Sequence, residues 1–192
     1  MITAMRIPVM ATLAVWAAVE ATLLARDLAR GKGSTSRDQG TRSLLVAGWL
    51  IAMVAATWMA GQFGAASGWR LGRWHTAAGL MVMWIGLAIR IWSVIVLGSA
   101  FRTTVEVDAG QQIVDRGPYR LVRHPSYTGI LLIALGYALT LGNWLSVVIL
   151  LVIPLATMLR RITVEEAMLT EVIGQPYIAY KERTKRLVPG LW

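Results

Sequence analysis

Four long apolar stretches, Ile7 to Ala25, Leu44 to Ala60, Ala77 to Leu97 and Ile130 to Leu159, constrain this chain more than anything else in it. A helix needs about 20 residues to cross the hydrocarbon of a bilayer, and it crosses with every backbone group paired internally. The first three stretches suffice for one crossing each. The fourth is interrupted by Gly142-Asn143 and has length for two helices around a close turn. The expected fold is therefore all-α and integral to the membrane, with five transmembrane helices, the last two a tight helical hairpin. Each half of that hairpin is at the short limit for a crossing, which allows a thin, tilted or partly re-entrant pair. Composition agrees: 56% of residues are hydrophobic and 15% charged, against roughly 25% charged in soluble domains. Ile7 to Ala25 carries Glu20 and lacks a clean small-residue cleavage site, so it reads as a retained anchor rather than a signal peptide.

A net charge of +9 raises nucleic acid as a partner, but the placement of the charges argues for a membrane. Arg26, Arg30, Lys32, Arg37 and Arg42 lie in the first loop, Arg102, Arg116, Arg120 and Arg123 in the third, and Arg160, Arg161, Lys181, Arg183, Lys185 and Arg186 beyond the last apolar stretch. Those are 15 of the 19 basic residues, and they fall on one side; Arg6, Arg70 and Arg73 fall on the other, and Arg90 lies inside a span. The positive-inside rule then puts the amino terminus outside and the carboxyl terminus in the cytoplasm, with a bacterial inner membrane as the expected setting. Trp69 and Trp74 suit an outer interfacial belt, and the basic excess suits anionic lipid. With no cysteine there is no disulfide and no thiolate. His75 and His124 fall on opposite faces, so no metal site is expected.

The chain divides into residues 1–75, with two helices and a polar linker, and residues 76–192, with the remaining helices and the chemistry. The linker from Arg30 to Thr41 reads as a flexible loop. Gly31-Lys32-Gly33-Ser34-Thr35 lacks the glycine and the preceding strand of a phosphate-binding loop. Thr103 to Val107 alternates like a short extended piece, and Asp108-Ala109-Gly110 signals a turn. Gly174 is a natural stop for a helix begun near Thr163, Pro176 can open the next one, and the basic tail after Lys181 is expected to hug the membrane surface.

Between the third and fourth apolar stretches stands a dense polar cassette, Arg116-Gly117-Pro118-Tyr119-Arg120-Leu121-Val122-Arg123-His124-Pro125-Ser126-Tyr127-Thr128-Gly129. Burying such groups beside a membrane is costly unless they are used. Pro125 forces His124 out of helical geometry, which fixes the imidazole at a break just before a membrane helix. The start of that helix offers unpaired backbone donors to an anion, and Ser126 and Gly129 are small enough to let a ligand approach. Arg161 lies one turn before Glu165, where a weak ion pair is the plain reading, with one of Glu165 and Glu166 facing a site and the other water. Glu20 and Arg90 can pair, snorkel or line a cavity. Trp84 and Trp92 read as packing or interface anchors, and Tyr177 and Tyr180 as braces.

Arg123-His124-Pro125, Tyr127 and Gly129, then the apolar hairpin, Arg161, Glu165-Glu166 and Gly174-Gln175-Pro176-Tyr177-Ile178-Ala179-Tyr180 together resemble the isoprenylcysteine carboxyl methyltransferase family, over roughly residues 95 to 190. The resemblance implies a cytoplasmic pocket for S-adenosylmethionine, formed by the third loop and the carboxyl-terminal helices. Cofactor contacts carried over residue by residue are His124, Tyr127, Pro125, Gly129, Tyr119, Glu165 and Glu166. Arg161, Glu166 and Arg90 are the expected catalytic residues, with Arg161 and Arg90 competing to orient an anionic acceptor. The implied function is methylation of a lipophilic acceptor, a carboxylate or a lipid amine or thiol, without metal or nucleic acid. Two alternatives stand beside it: an NADPH-dependent membrane reductase of the sterol type, and a non-enzymatic transport or assembly module.

Overall fold

The computed structural model describes residues 2–30, 35–36, 38, 40–67, 74–103, 106–107 and 113–191. Among them, six α-helices carry the architecture: α1 (Ile2–Arg30), α2 (Thr41–Ser67), α3 (Trp74–Leu97), α4 (Pro125–Leu141), α5 (Trp144–Ile173) and α6 (Gln175–Arg183). Four of them, α1, α2, α3 and α5, are long and apolar enough to cross a membrane. Helix α4, with 17 residues, reaches only about 26 Å and stops just short of the roughly 30 Å hydrocarbon core. Ile7, Val54, Ile95 and Val152 remain exposed, as side chains facing lipid do.

Helices α3 and α4 approach until their backbones touch. A Cβ on Gly86 would lie 2.6 Å from the Gly129 carbonyl oxygen, and one on Gly136 would lie 2.5 Å from that of Gly79. Glycine permits this closeness, and in a bilayer close packing is what holds helices together. Helix α2 packs chiefly on α5, and α1 leans on α3. Met83, Ile133, Leu150 and Met158 fill the buried centre.

Gly142, left-handed at φ 65°, ends α4, and Asn143 caps α5 by accepting from the Ser146 amide at 3.2 Å. His75 flanks that turn, at the opposite end of α4 from His124. Helix α5 then runs unbroken for 30 residues, where a new helix near Thr163 was expected. Arg160-Arg161-Ile162-Thr163 holds no glycine or proline, and the Thr163 hydroxyl bonds the Leu159 carbonyl at 3.0 Å instead of capping. Arg161, Glu165 and Glu166 thus ride on a rigid extension of α5. It stops at Gly174, φ 71°, and Pro176 helps open α6, as the sequence indicates.

The described part of the linker is tied down rather than loose. β1 (Thr35–Ser36) pairs antiparallel with β2 (Glu106–Val107), which supplies the extended piece expected there. Asp38 holds the start of α2, its carboxylate accepting from the Arg42 amide at 3.1 Å. The expectations for residues 31–34, Arg37, Trp69, Arg70, Arg73, Thr104-Val105 and Asp108-Ala109-Gly110 lie outside the described residues.

Candidate functional site

The site grows from the turn that feeds α4. A 3-10 turn, Gly117–Arg120, leads to His124, whose backbone is held non-helical at φ −123° and ψ 56° by Pro125 behind it. The tail folds back beneath this turn. The Arg123 amide donates to the Lys185 carbonyl at 2.7 Å, the His124 amide to Arg186 at 3.0 Å and the Thr128 hydroxyl to Leu187 at 2.7 Å. Leu187 is buried in the main core. Residues 184–187 of the basic tail thus strap the turn.

Glu166 explains the strap. Its carboxylate is buried and accepts from Arg123 Nε at 2.7 Å and Arg186 Nε at 3.1 Å, with His124 Nε2 at 3.3 Å. Arg123 also donates to the Lys181 and Thr184 carbonyls. A buried acid needs such company, and two arginines with a histidine supply it. Glu166, expected to touch a ligand or to face water, is buried behind His124, off the cavity wall. Pro125 is buried at the head of α4, also off the cavity wall. Gly129 does not leave room for a ligand: a Cβ there would meet the Arg90 amide nitrogen at 2.9 Å, so its smallness serves the contact with α3.

Polar groups converge on a cavity of about 480 Å³ lined by His124, Ser126, Tyr127, Arg161, Glu165 and Tyr119. The rings of His124 and Tyr127 stack, with centroids 5.5 Å apart. The Tyr127 hydroxyl donates to Glu165 Oε2 at 2.8 Å and accepts from Arg161 Nε at 2.6 Å. The plain ion pair expected between Arg161 and Glu165 is thereby replaced by a relay through a phenol. Arg161 spends its other donors on Asp38 Oδ1 at 2.9 Å and the Thr103 carbonyl at 2.7 Å. Tyr180 braces, donating to the Tyr119 carbonyl at 2.7 Å, whereas the buried Tyr177 hydroxyl beside the cavity finds no partner among the described residues. Burial pushes the phenols of Tyr119, Tyr177 and Tyr180 well above the ordinary tyrosine range, so they stay protonated.

The cavity extends between α1 and α2, walled by Trp16, Ala17, Leu24, Val46 and Trp49. Of the three options for Glu20 and Arg90, pairing and lining hold together. Arg90 Nε and Nη2 reach the Glu20 carboxylate at 2.9 and 2.8 Å, Nη1 bonds Ser126 Oγ, and both residues line the cavity. The Trp16 indole donates to Glu20 at 3.1 Å. Trp84 and Trp92 point outward, away from the site. Among the described residues no group of three or more His, Asp or Glu stands ready for a metal.

Four contributors escaped sequence reasoning. Asp38 lay in a linker read as loose, although an acid just ahead of an apolar run is a helix-start signal. Arg186 gave no local sign of its bond to Glu166, nor Thr184 of the carbonyl it offers Arg123. Phe101, which lies under the guanidinium of Arg90 at 5.2 Å, carried no pattern at all.

Comparison with known proteins adds to this geometry. The profile of the phospholipid methyltransferase family matches residues 74–176. The chain is 32% identical over 118 residues to protein-S-isoprenylcysteine O-methyltransferase A of Arabidopsis thaliana, covering 60% of each, and 33% identical over 107 residues to the protein-S-isoprenylcysteine O-methyltransferase of Schizosaccharomyces pombe, covering 48% of this chain and 45% of that one. It therefore spans about 60% or less of the length of those relatives. The fold is similar to a solved eukaryotic intramembrane Ras methyltransferase, an isoprenylcysteine carboxyl methyltransferase, with a TM-score of 0.61 and 24% identity over 82% of this chain and 55% of that one.

Proposed function

The chain belongs to the phospholipid methyltransferase family, and we propose on that premise that it is an integral membrane S-adenosylmethionine-dependent methyltransferase acting on a lipophilic acceptor. One observation carries the reading: a single cavity joins the polar wall of His124, Tyr127, Arg161 and Glu165 to an apolar lobe between α1 and α2. A polar cofactor and a greasy acceptor need such neighbours.

The residues fit the cofactor. Glu165 suits its ammonium group or ribose hydroxyls, the Tyr177 hydroxyl is a donor in want of an acceptor, and Arg161 holds the Tyr127 hydroxyl that shapes the wall. His124, Tyr127 and Tyr119 shape the wall, while Glu166, Pro125 and Gly129 support it from behind. When bound, S-adenosylmethionine supplies a methyl group on a positively charged sulfur. The chain's own work is alignment and exclusion of water, and positioning of this kind can supply several kcal/mol. Arg161 and the Tyr127 hydroxyl hold each other in place across the turn, and Arg90 with Glu20 marks the boundary with the acceptor lobe. No residue has to form a covalent intermediate.

The finer architecture follows the same reading. The chain crosses five times, α4 and α5 forming a hairpin with a thin first arm; residues 1–75 chiefly shape the acceptor side and residues 76–192 the cofactor side. The basic loops support an external amino terminus and a cytoplasmic carboxyl terminus, in a bacterial inner membrane surrounded by anionic lipid. A carboxyl-terminal tag should be shielded from external protease in intact cells, and its cleavage there would reverse the orientation. The test of function is calorimetry on purified protein. Saturable binding of S-adenosylmethionine, abolished in Arg161→Ala and severely weakened in His124→Ala, is the expected result. Saturation with NADPH instead overturns the reading in favour of a reductase.

A further inference from the structure

Resting on the methyltransferase reading, we propose that Asp38 is a positioning residue of the cofactor wall. Acting through Arg161, it aims the Tyr127 hydroxyl at Glu165, so cofactor affinity depends on how the linker between α1 and α2 seats against α5. Asp38 lies outside the residues 74–176 that the family profile matches, and it does not line the cavity. Whatever it does for a ligand it does through another side chain.

That side chain is Arg161, where separate parts of the chain meet. From its place on α5 the buried guanidinium donates through Nε to the Tyr127 hydroxyl at 2.6 Å. Nη1 reaches Asp38 Oδ1 at 2.9 Å and Thr41 Oγ1 at 3.4 Å, and Nη2 reaches the Thr103 carbonyl at 2.7 Å. A buried guanidinium needs a counter-charge. Of the acids near it, Asp38 meets it directly, whereas Glu165 meets it only through the phenol. The relay has a direction. Arg161 Nε fills a lone pair of the Tyr127 oxygen, so the phenol proton turns to Glu165 Oε2 at 2.8 Å. Glu165, its side chain 30% exposed, is the member of the series that a ligand can reach. Without the Asp38 charge, Arg161 is drawn onto Glu165 itself, and the relay breaks.

Asp38 is fixed in turn by the start of α2. Its Oδ2 accepts from the Arg42 amide at 3.1 Å, its Oδ1 from the Thr41 hydroxyl at 3.1 Å and its carbonyl from the Thr41 amide at 2.8 Å. Just ahead of it β1 is paired with β2, and on the way from α3 to β2 the Thr103 amide is held by Asp27. The linker, the start of α2 and the segment after α3 thus close on one guanidinium. One carboxylate does two separable jobs, capping a helix and neutralising Arg161. Asparagine caps about as well as aspartate but carries no charge, so Asp38→Asn keeps the first job and removes the second.

The test is calorimetric titration of the full chain in lipid nanodiscs with S-adenosylmethionine. Asp38→Asn should weaken binding by about tenfold or more, a coupling of ordinary size. In Tyr127→Phe no hydroxyl is left to aim, so adding Asp38→Asn should cost less than about threefold further; a purely structural role would lose the same factor in both backgrounds. Affinity unchanged in Asp38→Asn, or the full loss repeated on top of Tyr127→Phe, overturns the proposal alone. A wild type that binds no S-adenosylmethionine overturns the methyltransferase reading beneath it and the proposal with it. Should Asp38→Asn not fold, or Tyr127→Phe bind too weakly to compare, hydrogen exchange on the wild type decides. Linkage is reciprocal, so saturating S-adenosylmethionine should slow exchange in the peptide 38–45, which carries the Arg42 amide held by Asp38, by about fivefold or more. No slowing there sinks the idea.

Discussion

The two walls of the cavity are built by different rules. On the turn side, polar groups are buried and joined to one another: Glu166 with Arg123, Arg186 and His124, Tyr127 with Arg161 and Glu165, and the strap with the turn. On the α1 side the wall is apolar, and the helix is held to the rest by a few polar ties, Glu20 to Arg90, Arg26 to the Phe101 carbonyl and Asp27 to the Thr103 amide. A densely satisfied network fixes one geometry, as a site for a constant ligand requires. A sparsely tied apolar helix can be altered without unravelling that network. The turn side falls within the stretch shared with the family and its supporting strap, while α1 and α2 fall outside it.

This contrast is open to attack, beginning where the effect is largest. Glu166→Ala strands two arginines and a histidine, and should destabilise the protein by about 3–5 kcal/mol, read as thermal unfolding of the detergent-solubilised chain. A loss below about 1 kcal/mol would show that the buried network is not what holds the turn. Gly129→Val drives a side chain into the α3 backbone and should lower stability by about 1–3 kcal/mol or more, while the matching change at Gly61, where a Cβ meets nothing within 4 Å, should be close to neutral. Equal losses at both would remove the close α3–α4 contact from the account. Alkaline unfolding sharpens the contrast further. The phenols of Tyr119, Tyr177 and Tyr180 titrate higher folded than unfolded, so their contribution is complete below about pH 10 and fades as pH rises past it. Tyr177→Phe should blunt that decline. On the opposite wall, Trp16→Phe removes one hydrogen bond to Glu20 and should change stability by only about 0.5–1.5 kcal/mol, with cofactor affinity unmoved. A loss of cofactor affinity there would mean the walls are not independent.

Much of the turn side was legible from residue order. Pro125 dictates where α4 begins, Gly174 and Pro176 where α5 gives way to α6, and the spacing of Arg161 and Glu165 places both on one helix face. What escaped was what depends on distant residues. No local pattern says that Lys185 pairs beside Val122, because such a bridge is chosen by the fold and not by the strand. The length of α5 was misjudged because charge after an apolar run marks the end of the hydrocarbon, not of the helix. Gly129 was assigned to a ligand because a small residue beside a site and a small residue beside a neighbouring helix look alike until the neighbour is known. Glu20 and Arg90 could be foreseen as a pair, since two opposite charges inside spans have few other options, but their place on the cavity wall could not.

The strap has a consequence in time. Residues 184–187 leave the ribosome after every helix of the bundle has been made, and they supply the carbonyls that fix the turn carrying His124. A nascent chain can therefore sit in the bilayer with its hydrophobic segments inserted while the His124 turn is still unfastened, until residues 184–187 are translated and tucked into place.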